Sequence, residues 1–379
     1  MVDVDPFPVT GAWYPGDTPG RRQFVTVAAD QLALRAGGRL GPITVAYETW
    51  GTLDSTRSNA VLVLHALTGD SHAAGPVQEG HNEVGWWDAL IGPGRAIDTD
   101  QFFVIAPNVL GGCQGTTGPS SIDPEAGAPF GSRFPTITIR DQIAAEAALA
   151  DALGIERWAC VVGGSMGGQR ALEWAVSYPE RVPHAVIMAC GAAATAEQIG
   201  LCSVQIRAIE NDPNFHGGDY YAQAAGPWRG LSLARGIGQI SYRTELELAQ
   251  RFNRGHQNDE HPFEGGQYTI ESYLEYNGEK LARRFDANTY IVLSRVMNHH
   301  DIGRGRSGTK AALGRITGRV TLAGISSDRL YPLRLQDELA ELIPDNSGVH
   351  VIDSISGHDA FLTEHEAVGK IIAGALAYC

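Results

Sequence analysis

The chain of 379 residues is long enough for two to three domains, or for one enlarged domain with an insertion. Its 43% hydrophobic and 19% charged residues are typical of a soluble globular protein. The formal net charge of −14 argues against a dedicated nucleic-acid-binding protein, because such proteins usually carry a basic surface. No apolar run approaches the roughly 18 residues of a membrane span, and the N-terminus lacks the features of a signal peptide.

The cysteines give a further indication of the compartment. Five are scattered along the chain without any C-x-x-C pair, so the sequence predicts neither a zinc ribbon nor a disulfide framework. We therefore expect a reduced, cytoplasmic protein.

The first 194 residues alternate predicted strands with predicted helices. Short apolar runs are typical of strands buried on both faces of a sheet, and helical spacing is found between several of them. This alternation predicts the α/β class with a mostly parallel sheet. Strands are predicted at 24–34, 43–50, 60–65, 102–106, 158–162 and 185–189, and helices at 139–153 and 169–177.

The pattern changes after residue 194, where the strand signal becomes weak. Helix-like segments follow one another at 196–211, 231–240, 245–252, 270–285 and 288–297. We interpret them as an α-helical lid inserted into the sheet. The α/β pattern then resumes with strands at 319–324 and 349–353 and a closing helix at 366–378. The predicted organisation is a core at 1–194 with an N-terminal arm, a lid at 195–313, and the rest of the core at 314–379.

A G-x-S-x-G motif at Gly163, Ser165 and Gly167 follows a predicted strand and precedes a predicted helix. This context is typical of a nucleophile elbow, a sharp turn that exposes a serine hydroxyl above the edge of the sheet. Glycines are needed beside the serine because larger side chains would clash in so tight a turn. We predict that Ser165 is a catalytic nucleophile.

An activated serine needs a histidine, and the histidine needs an acid that orients it. In this architecture the chain order is serine, then acid, then histidine. Asp328 lies just beyond the predicted strand at 319–324, and His358 follows the strand at 349–353. We predict a catalytic triad of Ser165, Asp328 and His358. The oxyanion hole is expected from the N–H of Met166, directly after the nucleophile, and the N–H of Leu67, in the loop after an early strand.

Several separated motifs, in the same order, resemble the homoserine O-acetyltransferase family, whose members have the α/β-hydrolase fold. They cover nearly the whole chain: LHALTG at 64–69, NVLGGCQGTTGPS at 108–120, GGSMGG at 163–168, AR at 234–235, SYR at 241–243 and GHDAF at 357–361. The resemblance implies acetyl transfer from acetyl-CoA to L-homoserine in methionine biosynthesis. It also implies a ping-pong mechanism through acetyl-Ser165, and a cytoplasmic homodimer formed through the lid helices.

The resemblance further implies a site for a zwitterionic substrate. Arg235 would bind the carboxylate of homoserine, Asp359 its ammonium group, and Thr68 and Tyr242 are expected as hydrogen-bonding neighbours. Acetyl-CoA enters as a co-substrate, and no cofactor, metal, nucleic acid or membrane is expected. A basic stretch at 302–327, which includes Arg304 and Arg306, is a candidate for steering the CoA phosphates.

Two alternatives remain open within the fold. The chain could use another acyl donor or acceptor, such as succinyl-CoA or L-serine, or it could be a serine esterase. A non-catalytic protein that merely retains the fold is disfavoured by the intact set of Ser165, Asp328 and His358.

Overall fold

A computed structural model of the protein describes residues 7–29, 31–257 and 261–379. Its centre is an eight-stranded sheet. In chain order the strands are β1 (Gln23–Val27), β2 (Ile43–Trp50), β3 (Ala60–Leu64), β4 (Phe103–Pro107), β5 (Cys160–Gly164), β6 (His184–Met188), β7 (Arg319–Ile325) and β8 (Asn346–Ile352). Two-residue strands also pair in the loops: Leu32–Ala33 with Arg39–Leu40, Ile91–Gly92 with Ile97–Asp98, and Ile122–Asp123 with Ala128–Pro129.

Across the sheet the strands run in the order β1-β2-β4-β3-β5-β6-β7-β8. β2 is antiparallel to both β1 and β4, and the remaining neighbours are parallel. The predicted mostly parallel sheet is confirmed. β1 ends at Val27 rather than near residue 34, because the backbone turns at Ala28 with a positive φ of 51°.

The helices occupy the connections between the strands. α1 (Ile139–Ala152) follows β4 and α2 (Met166–Ser177) follows β5. Between β6 and β7 lie α3 (Ala196–Glu210), α4 (Trp228–Tyr242), α5 (Glu245–Phe252), α6 (Thr269–Ala282), α7 (Ala287–Asn298) and α8 (Thr309–Leu313). α9 (Arg334–Leu342) joins β7 to β8, and α10 (Ala360–Thr363) and α11 (His365–Leu376) close the fold. Among the described helices, none is long and apolar enough to cross a membrane.

Three of the described helices have no counterpart in the sequence prediction: the short α8 and α10, and the nine-residue α9. In α9, the buried Leu335 and Leu339 and the half-buried Leu342 recur at i, i+4 and i+7, which is a helical period that the prediction did not use. The helix packs against β7 and β8.

The strands hold two separate apolar cores, one on each face of the sheet. Leu62 and Leu64 of β3 pack in one core, together with the buried sides of α1 and α2. Val61 and Val63 pack in the other, together with α11. This split follows from the alternation of side chains along a strand. Because β3 is covered on both faces, its five residues are all buried and apolar.

The long connection between β6 and β7 leaves the core and returns to it at nearly the same place. Ala193 and Asp301 form a β-bridge. On either side of it, Ala194 N–H donates to the His300 carbonyl at 3.0 Å and Ile302 N–H donates to the Ala192 carbonyl at 2.9 Å. The helices between these two points lie over the carboxyl ends of the strands that carry the serine motif. The division of the chain at residues 194 and 313 stays a prediction.

Candidate active site

Ser165 stands alone between β5, which ends at Gly164, and α2, which begins at Met166. Its backbone has φ 57° and ψ −123°, in a region that L-residues rarely adopt. Its own N–H donates to the Met188 carbonyl of β6 at 3.0 Å, so the strained turn is tied to the neighbouring strand. The geometry is that of the sharp strand–turn–helix expected for a nucleophile elbow.

The glycines around Ser165 are required by close backbone contacts. A Cβ atom on Gly163 would overlap the carbonyl of Gly167, and a Cβ on Gly167 would overlap the carbonyl of Leu64 at the end of β3. The helix that begins after Ser165 can therefore approach β3 and β5 only with glycine at these positions.

The structure brings Ser165, His358 and Asp328 into one hydrogen-bonded chain. His358 Nε2 lies 2.9 Å from Ser165 Oγ, and His358 Nδ1 lies 2.7 Å from Asp328 Oδ2. All three side chains are nearly inaccessible to solvent. Asp328 follows β7 and His358 follows β8, so their positions depend on the parallel alignment of these strands with β5.

The surroundings of Asp328 and His358 fix both the orientation and the charge of the imidazole. Asp328 Oδ1 accepts the N–H groups of Leu330 and Tyr331, each at 2.8 Å, which keeps Oδ2 directed at the imidazole. Burial alone would lower the pKa of His358, but the charge and the hydrogen bond of Asp328 outweigh it, so the pKa is raised. With Nδ1–H donating to Asp328, Nε2 is left to accept the proton of Ser165 Oγ.

Two backbone N–H groups lie where an oxyanion hole is expected. Met166 is the first residue of α2, and Leu67 is in the loop after β3. Among the hydrogen bonds between described residues, neither N–H donates to a protein acceptor. Unsatisfied N–H groups at a helix N-terminus favour negative charge, which is what a tetrahedral acyl intermediate presents.

Ser165 and His358 line a cavity of about 810 Å³, including its open mouth. Core loops form one side, and the lid helices α3, α4 and α7 form the other. The four residues expected to contact substrate also line this cavity: Thr68, Arg235, Tyr242 and Asp359. The structure thus brings all the predicted substrate-binding side chains to the triad.

Arg235 of α4 enters the cavity with part of its guanidinium already held. Gln239, with its amide oxygen turned toward the arginine, accepts from Nε at 3.1 Å and from Nη2 at 2.7 Å. Nη1 makes only a long contact of 3.4 Å with Thr68 Oγ1. The Tyr242 ring lies 5.8 Å from the guanidinium carbon. Arg235 is therefore oriented by its neighbours, and its Nη1 edge is available to an anion.

Asp359 supplies the opposite charge on the same cavity. Its Oδ2 accepts from Arg243 Nη2 at 3.1 Å, and Arg243 also contacts Glu247 at 3.3 Å. The sequence did not indicate this partner. Glu247 also pairs with Arg251 at 3.0 Å, and the negative charge of Asp359 is among those that raise the pKa of His358.

Several side chains of the site were missed by sequence reasoning. Tyr331 stacks on the His358 ring, with centroids 5.0 Å apart and planes at 22°, and its hydroxyl accepts from Gln169 Nε2 at 3.2 Å. Its only signal is its position three residues after Asp328. The amides of Gln198, Gln205 and Asn298 line the cavity from the lid, and no motif marks them.

The structure also corrects the idea that Arg306 steers CoA. Arg306 forms an ion pair with Glu173 of α2, contacts the Ser177 hydroxyl, and has a side chain only 8% exposed. It is committed to joining the segment after α7 to the core, and it is not available to a phosphate. Arg304 remains exposed, with its carbonyl accepting from Arg140.

One buried cluster has the composition of a metal site, but its geometry disfavours a metal. One ligand atom from each of Glu48, His72 and His81 lies within 4.8 Å of the other two. The two imidazole rings are stacked face to face with centroids 3.9 Å apart, so their in-plane lone pairs do not converge on one point. His81 Nε2 already accepts the N–H of Arg21 at 3.1 Å.

The fold and the site together are those of an α/β hydrolase, and the family profile described as the alpha/beta hydrolase fold matches residues 59–365. Homoserine O-acetyltransferase from Thermobifida fusca is 55% identical over 373 residues, covering 98% of each chain. The crystal structure of homoserine O-acetyltransferase from Bacillus anthracis has a TM-score of 0.86 at 30% identity, covering 94% of this chain and 97% of that one. The chain belongs to the homoserine O-acetyltransferase family of acyltransferases.

A structure named as an esterase is nearly as similar in shape. Esterase E22 has a TM-score of 0.85 at 28% identity, covering 94% of this chain and 99% of the other. Similarity of the overall fold therefore does not by itself distinguish the two named activities.

Proposed function

We propose that the chain transfers an acetyl group from acetyl-CoA to the hydroxyl of L-homoserine through an acetyl ester on Ser165, as a step of methionine biosynthesis. One observation carries the proposal: a single cavity joins the Ser165–His358–Asp328 chain to the opposite charges of Arg235 and Asp359. An esterase needs only the first three residues, whereas the pair of charges matches a zwitterionic acceptor. The names of the relatives support the same substrate.

In the first half-reaction Ser165 Oγ attacks the thioester carbon while His358 Nε2 accepts its proton. The oxyanion that forms is stabilised by the N–H groups of Met166 and Leu67. When the tetrahedral intermediate collapses, the bond from carbon to sulfur breaks, and CoA leaves as a thiol with the proton from His358. Asp328 stabilises the imidazolium between the two proton transfers.

In the second half-reaction homoserine replaces CoA. Arg235 binds its carboxylate with the planar geometry that suits a guanidinium, and Asp359 accepts its ammonium group. Both contacts orient the hydroxyl toward acetyl-Ser165. His358 removes the hydroxyl proton, the oxygen attacks the acetyl carbon, and the Ser165 ester bond breaks with return of the proton to Oγ. These steps need no cofactor or metal beyond the co-substrate acetyl-CoA.

Intact-mass spectrometry after mixing with acetyl-CoA tests the proposal. We expect a gain of about 42 Da on Ser165, because an acetyl group replaces a proton. Homoserine should remove the adduct rapidly and water slowly. The Ser165→Ala variant is the control and should show no adduct.

Parallel incubations separate the alternatives. Equal rates of adduct loss with homoserine and with water would identify an esterase, as the similarity to esterase E22 would then indicate. Faster loading by succinyl-CoA, or faster unloading by L-serine, would identify another donor or acceptor. A complete absence of any acyl adduct would overturn covalent transfer through Ser165.

We further propose a homodimer formed through the lid helices. Leu233 and Ile240 of α4 lie seven residues apart on one side of the helix and are 59% and 47% exposed, and Tyr276 of the adjoining α6 is 65% exposed. Apolar side chains grouped on packed helices mark an interaction surface more often than isolated ones do. Light scattering should report a dimer, and Leu233→Asp should shift it toward the monomer. Val351→Asp, at an equally exposed valine on β8, is the control.

The proposed compartment is the cytoplasm. The five cysteines are all free thiols, and three of them are buried, which fits a reducing environment. A biosynthetic enzyme that consumes acetyl-CoA also needs a compartment that supplies it. Fractionation of cells with an antibody against the chain would test the assignment, and recovery outside the cytoplasm would contradict it.

A further inference from the structure

The loop at residues 65–70, called here the oxyanion loop, carries the Leu67 N–H and has little structure of its own. One turn is closed by the Gly69 N–H, which donates to the Ala66 carbonyl at 3.0 Å. A four-residue turn with one internal hydrogen bond does not fix its own orientation. The Leu67 N–H lies in the same peptide plane as the Ala66 carbonyl, so its direction depends on the groups that hold this carbonyl and on those that hold the turn around it.

The core holds both ends of the oxyanion loop. At the start, His65 Nε2 accepts the N–H of Val109 at 3.0 Å, and His65 Nδ1 lies 2.8 Å from the Ala66 carbonyl. Burial lowers the pKa of His65 to about 3, so this bridge is neutral. After the loop, buried Glu48 accepts from the Ser71 hydroxyl at 3.0 Å. The His65 contact reaches the peptide plane that carries the Leu67 N–H. The next support of that plane is the Gly69 N–H, which donates to the same Ala66 carbonyl and shares its own peptide plane with the Thr68 carbonyl.

The lid holds the middle of the oxyanion loop. Arg284, which follows α6, donates from Nη1 to the Thr68 carbonyl at 3.0 Å. Arg235 reaches only the Thr68 hydroxyl, and at 3.4 Å this contact is the weaker of the two. A charged donor to a backbone carbonyl is among the stronger hydrogen bonds in a protein. Arg284 is thus the principal link between the lid and the backbone of the loop.

Arg284 is itself held in place by two further contacts. Its Nε lies 3.3 Å from Glu83 Oε1, and its carbonyl accepts from Gln114 Nε2 at 2.8 Å. Its charge also acts on Asp70 at the end of the loop. Burial would raise the pKa of Asp70, but Arg284, then Arg22 and the His72 N–H, together lower it. The guanidinium therefore donates to the loop at the Thr68 carbonyl and stabilises the charge of the Asp70 carboxylate electrostatically.

We propose that Arg284 is a positioning residue for the oxyanion hole: by binding the Thr68 carbonyl it sets the oxyanion loop so that the Leu67 N–H faces the acyl oxygen. This inference rests on the proposed function, because it assumes acylation of Ser165. If Arg284 has this role, the oxyanion hole is complete only when the segment after α6 lies against the core. The lid then contributes to acylation as well as to the binding of the acceptor.

Arg284→Gln tests this role, with Arg284→Lys as the conservative variant. Lys280→Gln is the matched control, because Lys280 lies in the last turn of α6 and also pairs with Glu83, at 3.2 Å, whereas it forms no hydrogen bond to the described residues of the loop. Loss of an oxyanion donor costs about 10²- to 10³-fold in kcat. Since Arg284 acts at one remove, we expect Arg284→Gln to slow acylation of Ser165 by about ten- to a hundredfold.

The pattern of effects separates positioning from general stability. In Arg284→Gln, kcat should fall while the KM for homoserine changes less than about twofold, because the oxyanion hole serves both half-reactions alike and Arg284 makes no contact with the acceptor in the proposed reaction. Affinity for S-(trifluoroacetonyl)-CoA, a ketone that forms a tetrahedral oxyanion on Ser165, should fall by the same factor as acylation. Arg284→Lys should recover most of the rate, and Lys280→Gln should keep it.

Two outcomes would overturn the proposal. One is that Arg284→Gln acylates Ser165 and binds the ketone within about twofold of the unaltered chain, because loss of an oxyanion contact would cost more than that. The other is an equal loss in Lys280→Gln, which would assign the effect to Glu83. The ratio of the acylation rates of Arg284→Gln and the unaltered chain can also be measured with p-nitrophenyl acetate, a substrate that involves neither CoA nor homoserine. If Arg284→Gln slows acylation by p-nitrophenyl acetate as expected, while acetyl-CoA does not acylate the unaltered chain, the proposed function is contradicted and the role of Arg284 stands.

Discussion

The core and the lid contribute to the cavity in different ways. Ser165, Asp328 and His358 lie on short connections after β5, β7 and β8, and adjacent parallel strands bring such connections to one edge of the sheet. Arg235 and Tyr242 come from α4 of the lid, whose position depends on packing against α3 and α6. In the proposed reaction the core therefore carries the triad and Asp359, and the lid adds Arg235 for the acceptor and Arg284 for the oxyanion loop.

Asp328→Asn should give the largest effect, because it acts on the core chemistry. An amide cannot hold His358 in the required tautomer or stabilise its cation, and the corresponding change in a serine protease lowers kcat by about 10⁴-fold. Stopped-flow measurement of the rate at which acetyl-CoA acylates Ser165 gives the size of this loss. Asp353→Asn, at the aspartate directly after β8 that accepts from Ser326, is the control and should keep its rate. A loss of less than about tenfold would contradict the role of Asp328.

Arg235→Gln should give a smaller effect that is confined to the acceptor. Losing a charged hydrogen bond to a carboxylate costs about 1.5–3 kcal/mol, which raises the KM for homoserine about ten- to a hundredfold. Acylation of Ser165 by acetyl-CoA should be nearly unchanged. Arg229→Gln, at an exposed arginine of the same helix that lies over Trp228, should leave both rates unaltered. A large loss of acylation in Arg235→Gln would break the division between core and lid.

Gly167→Ala compares the tolerance of the two regions to one added methyl group. The new Cβ would overlap the Leu64 carbonyl, so we expect a loss of about 1–3 kcal/mol in the free energy of unfolding. Gly200→Ala on α3 of the lid is the matched change, because no heavy atom lies within 4 Å of the new Cβ. It should be neutral or stabilising, since alanine is the better helix former. Urea unfolding measures both, and equal losses would refute the argument from packing.

The smallest effect concerns pH. His358 must be neutral to act as a base, and its pKa is raised by Asp328 against the effect of burial. The acidic limb of kcat/KM should therefore lie above the pKa of 6.5 that is usual for histidine, with activity lost as the pH falls through it. A profile of kcat/KM with acetyl-CoA between pH 5 and 9 would show it. A limb below pH 6.5 would mean that burial dominates.

The difference between the regions also explains what the sequence revealed. The elbow was recognisable because its geometry is local: Gly163, Ser165 and Gly167 are required within five residues of chain. Asp328 and His358 followed from chain order and from their places after strands. Tyr331 and Arg284 carry no such signal, because they reach the site through tertiary contacts with His358 and Thr68.

The lengths of the lid helices could also be predicted only in part from the sequence. α4 begins at Trp228 and ends at Tyr242, whereas its periodicity predicts only residues 231–240. Glycines at 230, 236 and 238 weaken the intrinsic helical preference of this segment. In the fold, α6 packs so closely that a Cβ on Gly278 would overlap Ser232 of α4. Packing between helices outweighs local preference here, and a single sequence does not report it.

The β-bridge between Ala193 and Asp301 has a consequence for how the fold can change. Because the lid leaves the core and rejoins it at one point, the length of the lid does not constrain the positions of the strands. Residues can be added to or removed from the lid without altering the spacing between β6 and β7, and hence without moving Ser165 relative to Asp328. The choice of acceptor can thus diverge by insertion, deletion or exchange of helices, while the proton relay is inherited unchanged.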